Sequence, residues 1–229
     1  MIELVGIFMN VTNAEIKDRL LIAGLALFAK HGFHGVSIRE LATQANANSS
    51  MITYHFGGKK GLYLAVYQYI ADLLNSRISN VFIENEALIN DLNRQEPAQK
   101  NKNILAILQG ISDKFIALLL SPDSISIAKL MLAEQDNKSE AFMILYNGYI
   151  NPVLGHIANL LGQLISEDPQ SMKVKTLTIN FMAQHVIWRV MHNIGERFVL
   201  TNENDTLINY QQDIQFHIFA QLKAEIKVA

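Results

Sequence analysis

Residues 37–63 read SIRELATQANANSSMITYHFGGKKGLY, and the fold follows from how this stretch divides. Ser37-Ile38-Arg39-Glu40 has the spacing of a capping box, in which the serine hydroxyl and the glutamate carboxylate each satisfy a free backbone N–H. It opens a short helix with apolar positions at Ile38, Leu41, Ala42 and Ala45. Ala45-Asn46-Ala47 then supplies a tight turn, and asparagine tolerates a positive φ there better than other non-glycine residues. Asn48 caps a second short helix, Ser49 to about Phe56, and Gly57-Gly58 ends it. Two short capped helices across a tight turn make a helix-turn-helix pattern. Spacing alone also fits a polar helical turn on any small bundle.

The second helix has two faces. Ile52 and Phe56, four residues apart, share the side that packs inward. Ser50, Thr53 and Tyr54 point outward, where hydroxyls that donate and accept suit base edges and phosphate oxygens. Ser49 and Ser50 lie in the first turn, whose free N–H groups favour phosphate. Lys59 opens the next helix and is placed for a phosphate contact.

Charge distribution agrees with this reading where net charge does not. The chain carries −2 overall. Residues 1–75 hold six Lys/Arg against five acids, the remainder thirteen against sixteen, and no Asp or Glu lies between Glu40 and Asp72. A surface built from that segment meets a phosphate backbone without like-charge repulsion.

Upstream, Thr12-Asn13-Ala14-Glu15 has capping-box spacing before an apolar stripe of Ile16, Leu20, Ala23 and Leu27, and the helix stops at His31-Gly32. A long amphipathic helix is expected from Lys59 to about Val81. Residues 84–103, polar and containing Pro97, read as a linker. Further helices are expected at about 104–120, 122–135, 139–165, 169–194 and 204–227. Ser121-Pro122 and Asp168-Pro169 suggest caps before a proline at the first helical position, and Pro152 should kink or split its helix. The class is all-α: a helix-turn-helix domain over 12–60, a connecting helix over 60–82, and a helical effector-binding and dimerisation domain over 83–229.

With 229 residues and half of them apolar, the chain can bury a substantial core. The absence of cysteine removes disulfides, thiolate metal sites and cysteine nucleophiles. No apolar run approaches the roughly 20 residues of a bilayer span, and MIELVGIFMN lacks the basic region of a signal peptide, so a cytoplasmic protein without membrane contact is expected. His185 and His192 are seven apart with no third ligand at helical spacing, so neither a metal site nor a cofactor is expected. No nucleophile–base–orienter set or phosphate-cradling glycine loop suggests an enzyme.

The residues themselves add a resemblance. Ile16–Tyr63, with LFAKHGF closing the first helix, the capped SIRELATQA helix and the junction Tyr54-His55-Phe56 with Lys59, resembles the tetracycline-repressor (TetR) family of bacterial regulators. ITYHFGGKKGLY is most similar to the subgroup with a CerR-type C-terminal domain, matched more loosely by IAKLMLAEQ (127–135), INPVLGHIANLLGQLI (150–165) and the segment around Trp188-Arg189. The resemblance implies an all-helical homodimer with one recognition helix per subunit in successive major grooves. It puts the DNA contacts on Ser37, Arg39, Ser49, Ser50, Thr53, Tyr54, His55 and Lys59. The family turn usually reads Ala-Gly-Val, so Asn46 is a departure, as is Thr53 where an aromatic or Asn is commoner.

Behind this half, Met and aromatic residues recur at helical spacing. They read either as plain core or as the lining of an irregular ligand pocket. The ligand-binding candidates are Phe115, Met131, Glu134, Tyr146, Gln184, His185, Trp188 and Arg189. The last two helices are the expected dimer interface, through Leu177, Phe181, Val190, Ile214, Ile218 and Leu222, although these also suit an intramolecular core. The expected function is a repressor on a palindromic operator, released by a small apolar effector. The alternative is a helix-turn-helix protein with no small-molecule effector.

Overall fold

Ser37 sits in extended backbone, accepts from the Glu40 amide at 3.2 Å, and its own amide donates to Glu40 Oε2 at 2.7 Å. The capping box is therefore complete. The computed structural model describes residues 16–135, 139–190 and 211–228, and all the elements below lie among them. The Thr12–Glu15 capping box falls outside the described residues.

The first helices are α1 (Ile16–His31), α2 (Ile38–Gln44), α3 (Ser49–Phe56) and α4 (Lys59–Glu84). Asn48 accepts from the Ser50 amide to cap α3. Gly57 closes it in the left-handed conformation, φ 72°, returning its amide to the Thr53 carbonyl. Asn46 takes φ 49°, as the turn requires. Then follow α5 (Glu86–Asp91), a single 3₁₀ turn (Leu92–Arg94), α6 (Pro97–Leu119), α7 (Ser124–Ala133), α8 (Glu140–Leu145), a π turn (Tyr146–Ile150), α9 (Asn151–Ile165), α10 (Met172–Val190) and α11 (Gln211–Val228). No strand occurs among the described residues.

Several expectations need correction. The polar stretch 84–103 is helical over much of its length, and Pro97 is no loop residue. It occupies the first turn of α6, where its missing N–H costs nothing. Pro122 and Pro169 do the opposite: each lies in a turn, and α7 and α10 begin at Ser124 and Met172. Pro152 changes the hydrogen-bond pattern of its helix without ending it, since the backbone stays helical from 140 to 165. A π turn at Tyr146–Ile150 directly precedes α9, the local adjustment by which a helix accommodates a proline that lacks its N–H.

The chain packs into two compact units. One joins the residues up to Asp72 with Ser126–Gly148; the other joins Leu73–Ile125 with the residues from Tyr149 on. In the first, α1, α2 and α3 pack together around Leu20, Phe28, Leu41, Ala45 and Ile52, all buried. Phe28 meets Tyr63 edge-on at 5.0 Å, which fixes the start of α4 against α1. In the second, α6, α9, α10 and α11 form a bundle over Ile104, Ile111, Phe115, Leu161, Phe181, Ile218 and Leu222. No single helix among the described residues is long and apolar enough to cross a membrane.

Candidate nucleic-acid interface

Ile52 is fully buried and Phe56 half-buried, so α3 is held by one side only. Ser50, Thr53, Tyr54 and His55 are exposed on the other, with Tyr54 79% accessible and its ring touching the edge of His55 at 4.9 Å. Ser49 is half-exposed beside them. The helix has no acid in its first turn, so its positive end faces solvent uncompensated. Ser50 Oγ donates to Asn48 Oδ1 at 3.0 Å, so its proton serves the cap. The Thr53 and Tyr54 hydroxyls of the same face are exposed and are not engaged by the cap.

The flanking cations follow. Arg39 is exposed one residue before the capping-box glutamate. That carboxyl, Glu40, is held below its usual range, first by the Ser37 amide and hydroxyl and more weakly by His31 and Lys59. Lys59 Nζ lies 4.5 Å over the Phe33 ring, a cation–π contact that restrains the ammonium near the end of α3. Lys60 pairs with Glu140 at 3.0 Å, both exposed. Two lysines opening α4 oppose that helix's dipole, a cost that a phosphate would remove.

The sensor candidates fall into separate groups. Phe115 and His185 come together, rings 5.4 Å apart. His185 is fully buried, its Nδ1–H donating to the Phe181 carbonyl at 2.7 Å and its Nε2 accepting from the Ser112 hydroxyl at 2.7 Å. Gln184 reaches Gln221 at 3.1 Å on the exposed side of α10. Arg189 donates to the Leu119 carbonyl at the end of α6. Met131, Glu134 and Tyr146 belong to the other unit. There Tyr146 stacks on Phe142, while Glu134 accepts from Tyr63 at 2.6 Å and from Ser139, which also caps α8. Burial, with the bond to Glu134, pushes the Tyr63 hydroxyl up to about 12. The side chain of Trp188, and His192 altogether, lie outside the described residues. Two surface clefts of about 340 and 390 Å³ are lined by other residues, one around Lys100 and Gln163, the other around Gln215 and Phe216. No group of three or more His or acidic residues able to hold a metal occurs among the described residues.

Sequence reasoning missed Tyr63, Tyr67 and Ser139. The two tyrosines, four apart on one helix, share a face and a hydrogen bond of 3.2 Å, a spacing visible in the sequence. What they meet was not.

His185 gives a pH prediction. Burial holds its pKa below the ordinary 6.5, so the folded protein binds fewer protons here than the unfolded chain. Its contribution is complete above pH 6.5 and is lost as pH falls below that value. The unfolding midpoint should drop on going from pH 7.5 to 5.5, and drop less in His185→Gln. Equal drops in the two proteins would exclude His185 as the cause.

The expected dimer stripe divides. Leu177, Phe181, Ile218 and Leu222 are buried within the chain, so they are core; Val190 is exposed, and the Ile214 side chain lies outside the described residues. A different face of α10 and α11 is open, with Met172, Ile179, Ile187, Val190 and Phe216 all exposed.

Residues 20–66 match the model for bacterial regulatory proteins of the tetR family, and residues 105–209 match that for the C-terminal domain of the HTH-type transcriptional dual regulator CecR. The chain belongs to the TetR family. CecR of Shigella flexneri is 29% identical over 153 residues, 67% of this chain and 66% of that one, so the chain matches just under two thirds of this relative's length. A TetR-family regulator from Mesorhizobium loti has the same fold, with a TM-score of 0.59, 19% identity, and 95% of this chain and 98% of that one covered. AibR, solved with isovaleryl coenzyme A and operator DNA, superposes with a TM-score of 0.53 at 15% identity over 77% of this chain and 86% of its own. The protein is thus a TetR-family transcriptional regulator, and α2–α3 is its helix-turn-helix.

Proposed function

We propose that the protein is a ligand-responsive repressor that binds a palindromic operator as a homodimer and is released by a small apolar effector. The observation that carries the DNA reading is the outer face of α3: exposed, free of acid, and bearing Thr53, Tyr54 and His55 beyond a well-capped first turn. Tyr54 and Thr53 read base edges; Ser37, Ser49, Arg39 and Lys59 are the phosphate contacts, and Ser50, whose amide and hydroxyl proton both serve the Asn48 cap, is left to accept from a base edge. Two-fold symmetry sets half-sites about 34–36 Å apart or a multiple of it. The exposed apolar face of α10 and α11 supports the dimer. Like other proteins that act on DNA within the cell, it works in the cytoplasm, and it has no catalytic role.

The effector reading rests on the Met and aromatic content of the C-terminal half and on the AibR complex, which holds both isovaleryl coenzyme A and operator DNA. Helix α4 runs unbroken across the division between the two units, and it is the lever in this proposal. An effector shifts the equilibrium only by its preference for one arrangement, and operator DNA must weaken its binding by the same factor. A second reading has no small-molecule effector. In its favour, Glu134 and His185 spend their polar atoms on partners within the chain.

Selection of bound sequences from random DNA, with and without a panel of apolar compounds, tests both. The expected result is an enriched inverted repeat from which at least one compound releases the protein. Absence of any enriched sequence would overturn the operator assignment. An enriched repeat that no compound disturbs would favour the second reading.

A further inference from the structure

Arg19 lies in the first turn of α1, far in sequence from the recognition helix, yet its side chain ends at the turn that sets that helix. Its Nε donates to the Ala45 carbonyl at 3.1 Å, and Nη2 reaches the Asn46 carbonyl at 3.5 Å. The backbone amides of the turn fold back: Ala45 to Leu41, Asn46 to Thr43, and Ala47 to Ala42, all at 2.9–3.1 Å. The carbonyls of Ala45 and Asn46 project onward, at the negative end of α2, where a cation is favoured. Between them the chain passes through φ 49° at Asn46, a left-handed conformation that glycine adopts without cost and asparagine does not. Two residues later Asn48 caps α3.

We infer that Arg19 is a positioning residue for operator recognition. It acts through the turn: by holding both carbonyls from one planar guanidinium, it fixes the left-handed step and with it the direction in which α3 leaves. The fork geometry matters, because a lysine ammonium presents a single compact head to two diverging oxygens. The inference rests on the operator-binding reading above, and it makes a claim that a phosphate contact does not. Removing a phosphate contact lowers the dependence of log affinity on log salt by about 0.9 and weakens all DNA alike. Removing a positioning residue weakens the specific complex and leaves both the salt slope and nonspecific binding in place.

The test uses the full chain with the selected operator and a scrambled duplex. Arg19→Ala should bind the operator about five- to tenfold more weakly, bind scrambled DNA within about twofold of the parent, and keep the parent's salt slope. Arg19→Lys should fall between. Adding Asn46→Gly to Arg19→Ala should restore most of the loss, since glycine takes the left-handed step unaided. Without DNA, amide exchange at Asn46 and Ala47 should speed up in Arg19→Ala. Operator binding unchanged in Arg19→Ala would overturn the inference, as would a slope lowered by about 0.9 with both duplexes weakened equally. If Arg19→Ala loses its helical circular dichroism, the Arg19→Lys pair with and without Asn46→Gly gives the same reading. If the parent binds no duplex specifically, the operator reading fails, and the exchange measurement alone decides whether Arg19 holds the turn.

Discussion

An aspartate at Ile179 should leave the protein a monomer of 25.7 kDa in light scattering, where the parent is expected at twice that mass. Ile179 is 54% exposed at mid-length in α10, with Met172 seven residues before it, Ile187 eight after and Val190 three further on, all exposed. Those intervals put the four side chains on one face of the helix. Phe216 on α11 is 68% exposed. Packed against a symmetry mate, such a face contributes about 25 cal/mol for each Å² of apolar surface removed from water. A carboxylate at its centre is instead buried without a partner, which disfavours the ionised form strongly enough to open the interface. The consequence for DNA is larger than the consequence for mass. Two linked recognition helices bind with an effective concentration that two free ones lack, so operator affinity should fall by roughly 10²–10⁴ while each subunit stays folded. If Ile179→Asp keeps the doubled mass, the dimer does not use this face. If it becomes monomeric and still binds the operator as tightly as the parent, the two-half-site reading is wrong.

Tyr54→Ala should weaken specific operator binding by about 1–3 kcal/mol, between about fivefold and about 150-fold, and leave the unfolding midpoint where it is. The ring is 79% exposed and lies T-shaped against its neighbour His55, so its loss creates no cavity. Its whole value lies outside the chain. Tyr54→Phe divides that value: if the hydroxyl donates to a base or phosphate, Phe behaves nearly as Ala, and if the ring packs on a thymine methyl or the sugar edge, Phe behaves nearly as the parent. Gel shifts with the operator and a scrambled duplex give both numbers. Equal weakening on both duplexes would make Tyr54 a backbone contact, and no weakening at all would remove α3 from the interface.

The contrast between these two residues shows which parts of the fold were written locally. Tyr54 points outward because Ile52 and Phe56 point inward, and that alternation is fixed by helical periodicity within eight residues. Asn46, Asn48 and Gly57 behave as read for the same reason: a cap or a left-handed step is closed by hydrogen bonds spanning two to five residues, so the sequence in that window carries all the information needed. The polar stretch 84–103 failed that logic. Its polarity reads as a loop, yet the first turns of α6 carry polar residues in a helix that becomes a core element only from Ile104 onward. Polarity reports solvent, and a helix that runs past its core is as polar as a linker.

By itself, the sequence determined an all-helical chain, the two capped helices and turn of the DNA-reading element, the outward face of α3, and membership of the TetR family. Only the tertiary structure decided which of the apolar stripes on α10 and α11 is core and which is open, since both have the same period and differ only in what lies opposite. Tertiary packing likewise decided that Glu134 meets Tyr63 and that Arg19 holds the Ala45 and Asn46 carbonyls. The physical reason is common to all three. A helix fixes its own hydrogen bonds within a few residues, but the partner of a side chain across a packing surface is chosen by elements 26 or 71 residues away, and no local pattern encodes that choice.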